Sequence, residues 1–206
     1  MAATPRTPAR STDAPPALRD RMRHAMRDEV SSVAFRLFAE QGFDNTTVDQ
    51  IAKEAGLSRA SFFRYFGTKE DVILGNFEEL GQKVAAALAA RPADEKPWDA
   101  LRRAFDVVTQ LNADEPEKTL SFLRLLSEAC SLKARQREKQ QSWHPLLAPE
   151  ISRRLGADPT AVDDPRALAL VAAAIACLDV AKESWLACDG TTPLPVLLDR
   201  AMGVLS

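Results

Sequence analysis

Thr46-Thr47-Val48-Asp49-Gln50-Ile51-Ala52-Lys53-Glu54-Ala55-Gly56-Leu57-Ser58-Arg59-Ala60-Ser61-Phe62-Phe63-Arg64-Tyr65-Phe66-Gly67-Thr68-Lys69 is the stretch around which the rest of the chain is arranged. Two short helices crossing at a steep angle need a small residue at the crossing, a glycine in the turn and apolar residues aimed at a third helix. Ala52 is the small residue, and Gly56, one helical turn later, can take the left-handed conformation that ends the first helix. Leu57 and Phe62 then point back into the same small core as Ile51. That is the spacing of a helix-turn-helix.

The caps agree with this division. Thr46 followed by Asp49 reads as a capping box for the first helix, Ser58 can accept an orphan amide at the start of the second, and Thr68 with Asp71 starts the helix that follows. Three caps in so short a span mean three helices and not one. The second is the one suited to a DNA major groove. Arg59 sits in its first turn, where a guanidinium can reach a guanine edge through two parallel hydrogen bonds. Ser61, Arg64, Tyr65 and Lys69 offer hydroxyl and cationic donors to phosphates, and Thr46, Thr47, Ser58 and Phe63 complete the candidate DNA-binding set.

The run from Gly56 to Phe66, followed by Thr68-Lys69-Glu70-Asp71 and preceded by Phe38-Ala39-Glu40-Gln41-Gly42-Phe43 and Thr46-Thr47-Val48, resembles the TetR family of bacterial transcriptional regulators. Three linked segments agree in order and spacing, which makes the resemblance specific over roughly the first third of the chain after its tail. It implies an all-helical homodimer that represses a promoter and lets go when a small molecule binds its C-terminal domain. Many members carry a tyrosine where this chain has Phe63, so a phosphate contact through that hydroxyl is unavailable, and Arg64 and Tyr65 are the candidates to take it over.

The remaining composition fits this outline. Of the 206 residues 46% are apolar, glycines are few, the apolar spacing is helical throughout, and no alternating run calls for a strand. No stretch reaches the length of a membrane span, the N-terminus lacks the apolar core of a signal peptide, and the expected location is the cytoplasm. The net charge of -2 hides an asymmetry: through Lys69 there are 11 Lys and Arg against 8 Asp and Glu, and 16 against 21 thereafter. A mildly basic head on an acidic body suits a protein that touches DNA at one end, although chance gives such a split about as often. Cys130, Cys177 and Cys188 are far apart without a Cys-x-x-Cys spacing and read as reduced, packed residues; a redox pair of Cys177 and Cys188 is the less favoured alternative.

Residues 1–17, with Pro5, Pro8, Pro15 and Pro16 and no apolar pattern, read as a disordered tail, either a solubilising one or an arm that reaches phosphates. A first helix is expected from about Arg21 to Gln41, with Met26, Val30, Val33, Ala34, Leu37 and Phe38 on one stripe. After Thr68 a single long helix is expected to carry Val72, Ile73, Phe77, Leu80, Val84 and Leu88 to about Ala90, where it acts as the lever that the resemblance implies. Leu101 to Leu111 and Leu120 to Ala129 form the next two helices. Lys133 to Gln141 reads as a solvated charged face, and Pro145 and Pro149 predict a break at Trp143–Pro149, as a surface kink or a pocket mouth. Pro165 opens a very apolar helix to about Cys188, and another runs from about Pro193 to Leu205; two such helices from each of two chains would form a four-helix interface.

The fold expected is therefore all-α: a tail at 1–17, a three-helix DNA-binding head at 18–67, and a ligand-binding and dimerisation body at 68–206. The function expected is a ligand-responsive DNA-binding regulator, most simply a repressor of an inverted-repeat operator released by a small apolar or amphipathic molecule. Trp98, Phe105, Phe122, Leu126, Trp143, Ile175 and Asp179 are the candidate ligand contacts. No metal site is expected, since His24 and His144 are distant in sequence, and no cofactor or catalytic motif is present: there is neither a Gly-rich phosphate loop nor a Gly-x-Ser-x-Gly elbow. The competing reading is a helical small-molecule binding protein or enzyme whose head docks a protein.

Overall fold

The computed structural model describes residues 18–158 and 164–205, with side chains from residue 21. The expected disordered tail at 1–17 lies outside the described residues, which form twelve helices and no strand. The head comprises α1 (Leu18–Gln41), α2 (Val48–Glu54), α3 (Arg59–Tyr65) and α4 (Lys69–Leu74). Val30, Ala34 and Phe38 of α1 pack with Ile51, Ala52, Phe62 and Phe66 as one buried cluster, so the apolar stripe of α1 is the floor on which the two crossing helices rest. Phe43 folds back onto Phe38 with ring centroids 4.8 Å apart. Gly56 takes φ +67, a value any other residue would hold only under strain, and this lets α2 stop within one residue and α3 start at an angle.

Ser58 and Thr68 cap as expected, accepting from the amides of Ser61 at 3.1 Å and Asp71 at 3.2 Å. The first capping box is displaced by one residue. Thr47, not Thr46, caps α2, and Gln50 answers by accepting from the Thr47 amide at 2.8 Å. Thr46 is buried and donates its hydroxyl to the Gly42 carbonyl at 2.8 Å, drawn inward by a carbonyl freed where α1 ends.

The long helix expected after Thr68 is two helices. α4 ends at Leu74 and α5 (Phe77–Ala89) begins after Gly75 and Asn76, two poor helix formers side by side, with Asn76 at φ -93 and ψ 3. The body adds α6 (Pro97–Ala104), α7 (Asp106–Asp114), α8 (Pro116–Glu128), α9 (Cys130–Gln141), α10 (Trp143–Arg154), α11 (Arg166–Ala187) and α12 (Leu194–Gly203). The run from Leu101 to Leu111 is likewise divided, at Phe105, and Leu111 is exposed. The break expected at Trp143–Pro149 does not form. Pro145 occupies the first turn of α10, where no amide is needed, and Pro149 leaves its unmatched carbonyl on an exposed side of the helix.

α5 and α10 lie parallel and are pinned at both ends. The Trp143 indole donates to the Phe77 carbonyl at 3.0 Å where both begin. Where both end, the wholly buried Arg154 side chain donates to the carbonyls of Leu88 at 3.2 Å, Arg91 at 3.0 Å and Pro92 at 2.7 Å. Gly81 makes the close approach possible, because a Cβ there would sit 2.6 Å from the Trp143 ring. The body core is continuous from Val84 and Leu88 through Phe105, Trp143 and Leu147 to Val171, Leu178 and Leu198. Cys177 is buried, Cys188 half-buried and Cys130 exposed, and all three are free thiols.

Candidate nucleic-acid interface and effector cavity

α3 presents its inner side, Phe62, to the head core and leaves Arg59, Phe63 and Arg64 exposed on the outer side. Ser58 is exposed at its cap and Ser61 half-buried, their hydroxyls 3.0 Å apart, while Thr47 is exposed at the neighbouring cap of α2. Arg59 is also held from the side: its guanidinium donates to Asp49 at 2.8 Å and lies 5.6 Å from the Phe63 ring centroid. Arg64 stacks on Tyr65 at 4.9 Å. Tyr65 is half-buried, and its backbone carbonyl accepts from Arg27 of α1 at 3.2 Å.

Two candidates face the protein instead. Thr46 is consumed in the turn after α1, as described above. Lys69 donates to the carbonyls of Phe43 at 2.9 Å and Thr46 at 3.3 Å, with its ammonium 4.3 Å from the Phe43 ring centroid. The carbonyls of the α1–α2 turn thus take its charge inside the protein. The Asp49 partner of Arg59 had no sequence signal of its own, since it lies across the turn and looked like part of a cap.

Head and body share an apolar seam, where Leu125, Ala129 and Leu132 join the head cluster, and one carboxylate adds a charged tie across it. Asp71 of α4 takes Arg135 at 3.2 Å and Lys139 at 3.0 Å, both from α9, and the Thr68 hydroxyl at 3.0 Å. Burial alone would raise its pKa, but the hydrogen bonds from Lys139 and Thr68 and the two cationic charges outweigh it and hold the carboxyl below its usual range. The opposite side of α9 is not the solvated face expected of Lys133 to Gln141. Gln136 and Gln140 are buried and linked in series: Gln136 donates to Gln140 at 3.0 Å, and Gln140 to Asp179 of α11 at 3.0 Å.

That chain ends in a cavity of about 80 Å³ between α8, α9 and α11. Of the candidate ligand contacts, Phe122, Leu126 and Asp179 line it. Phe105 and Trp143 are fully buried core, Ile175 packs in the same core, and the half-buried Trp98 indole is spent on the Met202 carbonyl at 3.1 Å. Their aromatic character was the only sequence signal for a ligand role, and any core shares it. Lys182 and Gln136 were missed; the helical spacing from Asp179 to Lys182 is the one signal that would have placed Lys182 beside it. Among the described residues no group of His, Cys, Asp and Glu could hold a metal.

The comparisons with known proteins agree with this geometry. Residues 31–75 match the family described as bacterial regulatory proteins, tetR family, and residues 95–206 match the MftR C-terminal domain. The chain belongs to the TetR family. It is a DNA-binding transcriptional regulator of the ligand-responsive, repressor type, a head of helix-turn-helix form on a helical body. It is 33% identical over 195 residues to the HTH-type transcriptional regulator TcmR of Streptomyces glaucescens, covering 90% of this chain and 84% of that one. It is 28% identical over 140 residues to the putative mycofactocin biosynthesis transcriptional regulator MftR of Mycobacterium tuberculosis, covering 68% and 71%. Among solved structures it resembles Thermus thermophilus FadR, a TetR-family repressor in complex with lauroyl-CoA. There the TM-score is 0.57 at 25% identity over 87% of this chain and 92% of that one. No helix of the described residues is long and apolar enough to cross a membrane.

Proposed function

We infer that this TetR-family chain represses its promoter as a cytoplasmic homodimer on an imperfect inverted repeat, and that it lets go when a small apolar or amphipathic molecule enters the cavity between α8, α9 and α11. The observation that carries the reading is the outer face of α3, where Arg59, Phe63 and Arg64 stand exposed on a helix fixed from behind by Phe62 and capped by Ser58. Arg59 reads a guanine edge, and Ser58, Ser61, Thr47 and Arg64 fix the register on phosphates. Asp49 holds the Arg59 guanidinium in place before DNA arrives and yields it on binding.

Helix α4 packs with the head core, so the working division is a head that runs from residue 18 through α4 and a body that starts at α5, the latter acting by binding and not by catalysis. Leu168, Ala172, Ala176 and Val180 lie four residues apart on α11, and all are exposed, as is Val196 on α12. Such a stripe of apolar and small residues supports pairing of α11 and α12 with the same helices of a second copy about a two-fold axis. Ligand and DNA are then linked through α9, which carries Gln136 on the cavity side and the Asp71 clasp on the head side. A molecule that displaces the glutamines shifts α9, and α4 follows through the clasp. The Thermus FadR, solved with lauroyl-CoA, supports an amphipathic effector by its acyl chain alone, since a cavity of about 80 Å³ has no room for the CoA moiety.

Footprinting on DNA flanking the chain's own gene tests this. Two protected half-sites on one side of the duplex, about 34–36 Å or a multiple apart, are expected. Uniform protection, or none, contradicts the reading.

A further inference from the structure

The wall of the cavity between α8, α9 and α11 carries one half-buried cation that the protein does not pair. Lys182, half-buried on α11, lines it and makes no hydrogen bond or ion pair among the described residues. The neighbouring carboxylates are engaged: Asp179 with the Gln140 amide at 3.0 Å, and Glu183 with Lys133 at 3.3 Å. Burial pushes the Lys182 pKa down, against the pull of Asp179. An ammonium partly shielded from water, with no carboxylate in hydrogen-bond contact, is stabilised by any anion that reaches it. With Arg137 at the rim, the lining has three cations against two carboxylates. Apart from Ser127 and Gln136, the rest of the wall is apolar, chiefly Phe77, Phe122 and Leu126.

We propose that this cavity takes a singly charged carboxylic acid, its carboxylate on the Lys182 ammonium and its hydrocarbon against Phe122 and Leu126. The assignment rests on the ligand-responsive reading above and names the chemistry of its effector. A second negative charge is disfavoured, because one interior cation is unanswered and Asp179 stands beside it. The cavity, about 80 Å³, holds the acid group and a few carbons. Phe77 and Phe122 also wall a second cleft of about 330 Å³ lined by Ile73, Leu80 and Leu111, and a longer chain has room there. Short free acids and long-chain acids thus share this chemistry, and chain length separates them.

The test titrates the full chain with butanoate, octanoate and dodecanoate beside the matching alcohols, reading both thermal stability and release of operator DNA. The wild type is expected to bind at least one acid about tenfold or more tightly than its alcohol, the loss expected for a hydrogen bond to a charged group. Lys182→Met binds acid and alcohol alike, and Lys182→Arg keeps the preference for the acid. The most responsive chain length identifies the source. A wild type that treats acids and alcohols alike, or a Lys182→Met protein that still prefers the acid, overturns the assignment. Operator affinity without ligand is measured in parallel: intact operator binding with no acid preference contradicts only the acid, whereas absent operator preference contradicts the regulator reading itself.

Discussion

At the scale of single residues, three side chains make separable predictions. Arg59→Ala is expected to cost about 1–3 kcal/mol of operator affinity and to relax preference at one base pair, with little effect on random DNA. Equal losses on both, in a binding titration, would contradict base reading. Lys69 behaves differently, because its ammonium is spent on the Phe43 and Thr46 carbonyls. Lys69→Met is expected to lower stability to denaturant by about 1–3 kcal/mol, through two lost charged hydrogen bonds, and to leave the salt dependence of DNA binding unchanged. Gly81→Ala places a methyl 2.6 Å from the Trp143 ring and is expected to cost about 1–3 kcal/mol, read as a lower unfolding midpoint at unchanged slope. The residues legible in sequence were those whose role is local. Ser58, Gly56 and Phe62 act within a turn or two of themselves, and spacing exposed them. Lys69 and Trp143 have roles set by partners 23 to 66 residues away, and Lys182 by a cavity whose other walls are α8 and α9; no local pattern marks such neighbours.

At the scale of elements, the informative case is α4 with α5. An apolar stripe from Val72 to Leu88 keeps a helical period across Gly75–Asn76, so the sequence reads as one lever, yet the chain breaks there. Periodicity records which side is buried and is blind to a two-residue interruption that preserves the side. The prolines of α10 misled in the opposite direction, since a first-turn Pro145 and an exposed Pro149 do not stop a helix. α4 is consequently short, and its coupling to the body runs through Asp71 and α9. Asp71→Asn keeps the shape, removes the charge on which Arg135 and Lys139 converge, and is expected to weaken release of operator by ligand more than operator binding itself. A pH titration of stability gives the sign. The Asp71 carboxyl lies below its usual range in the folded chain, so its contribution is fully present above the unfolded value and lost in acid. Its loss starts as pH falls through about 4 and finishes below the depressed folded value. Asp71→Asn is therefore expected to flatten the acid limb of the wild-type profile, and an unchanged acid limb would remove the clasp from the account.

At the scale of the whole molecule, the head supplies recognition and the body supplies symmetry. The exposed stripe on α11 predicts that Val180→Lys yields monomers in sedimentation at a concentration where the wild type is a dimer, with loss of operator binding although each head remains folded. A monomeric variant that still binds operator at full affinity would show that pairing is not required. The apolar character of α11 was plain in sequence, but which of its sides is buried within the chain and which is left for a partner appears only once α10 and α12 are seen against it. The central claim is that α3 reads DNA sequence, and an equilibrium titration of wild-type and Arg59→Ala protein on the footprinted operator and on a shuffled duplex, across salt concentrations, tests it most directly. The wild type is expected to prefer the operator by about 10³-fold or more, Arg59→Ala to lose much of that preference, and both to share one salt-dependent affinity for the shuffled duplex. Equal affinity of the wild type for the two duplexes would contradict it.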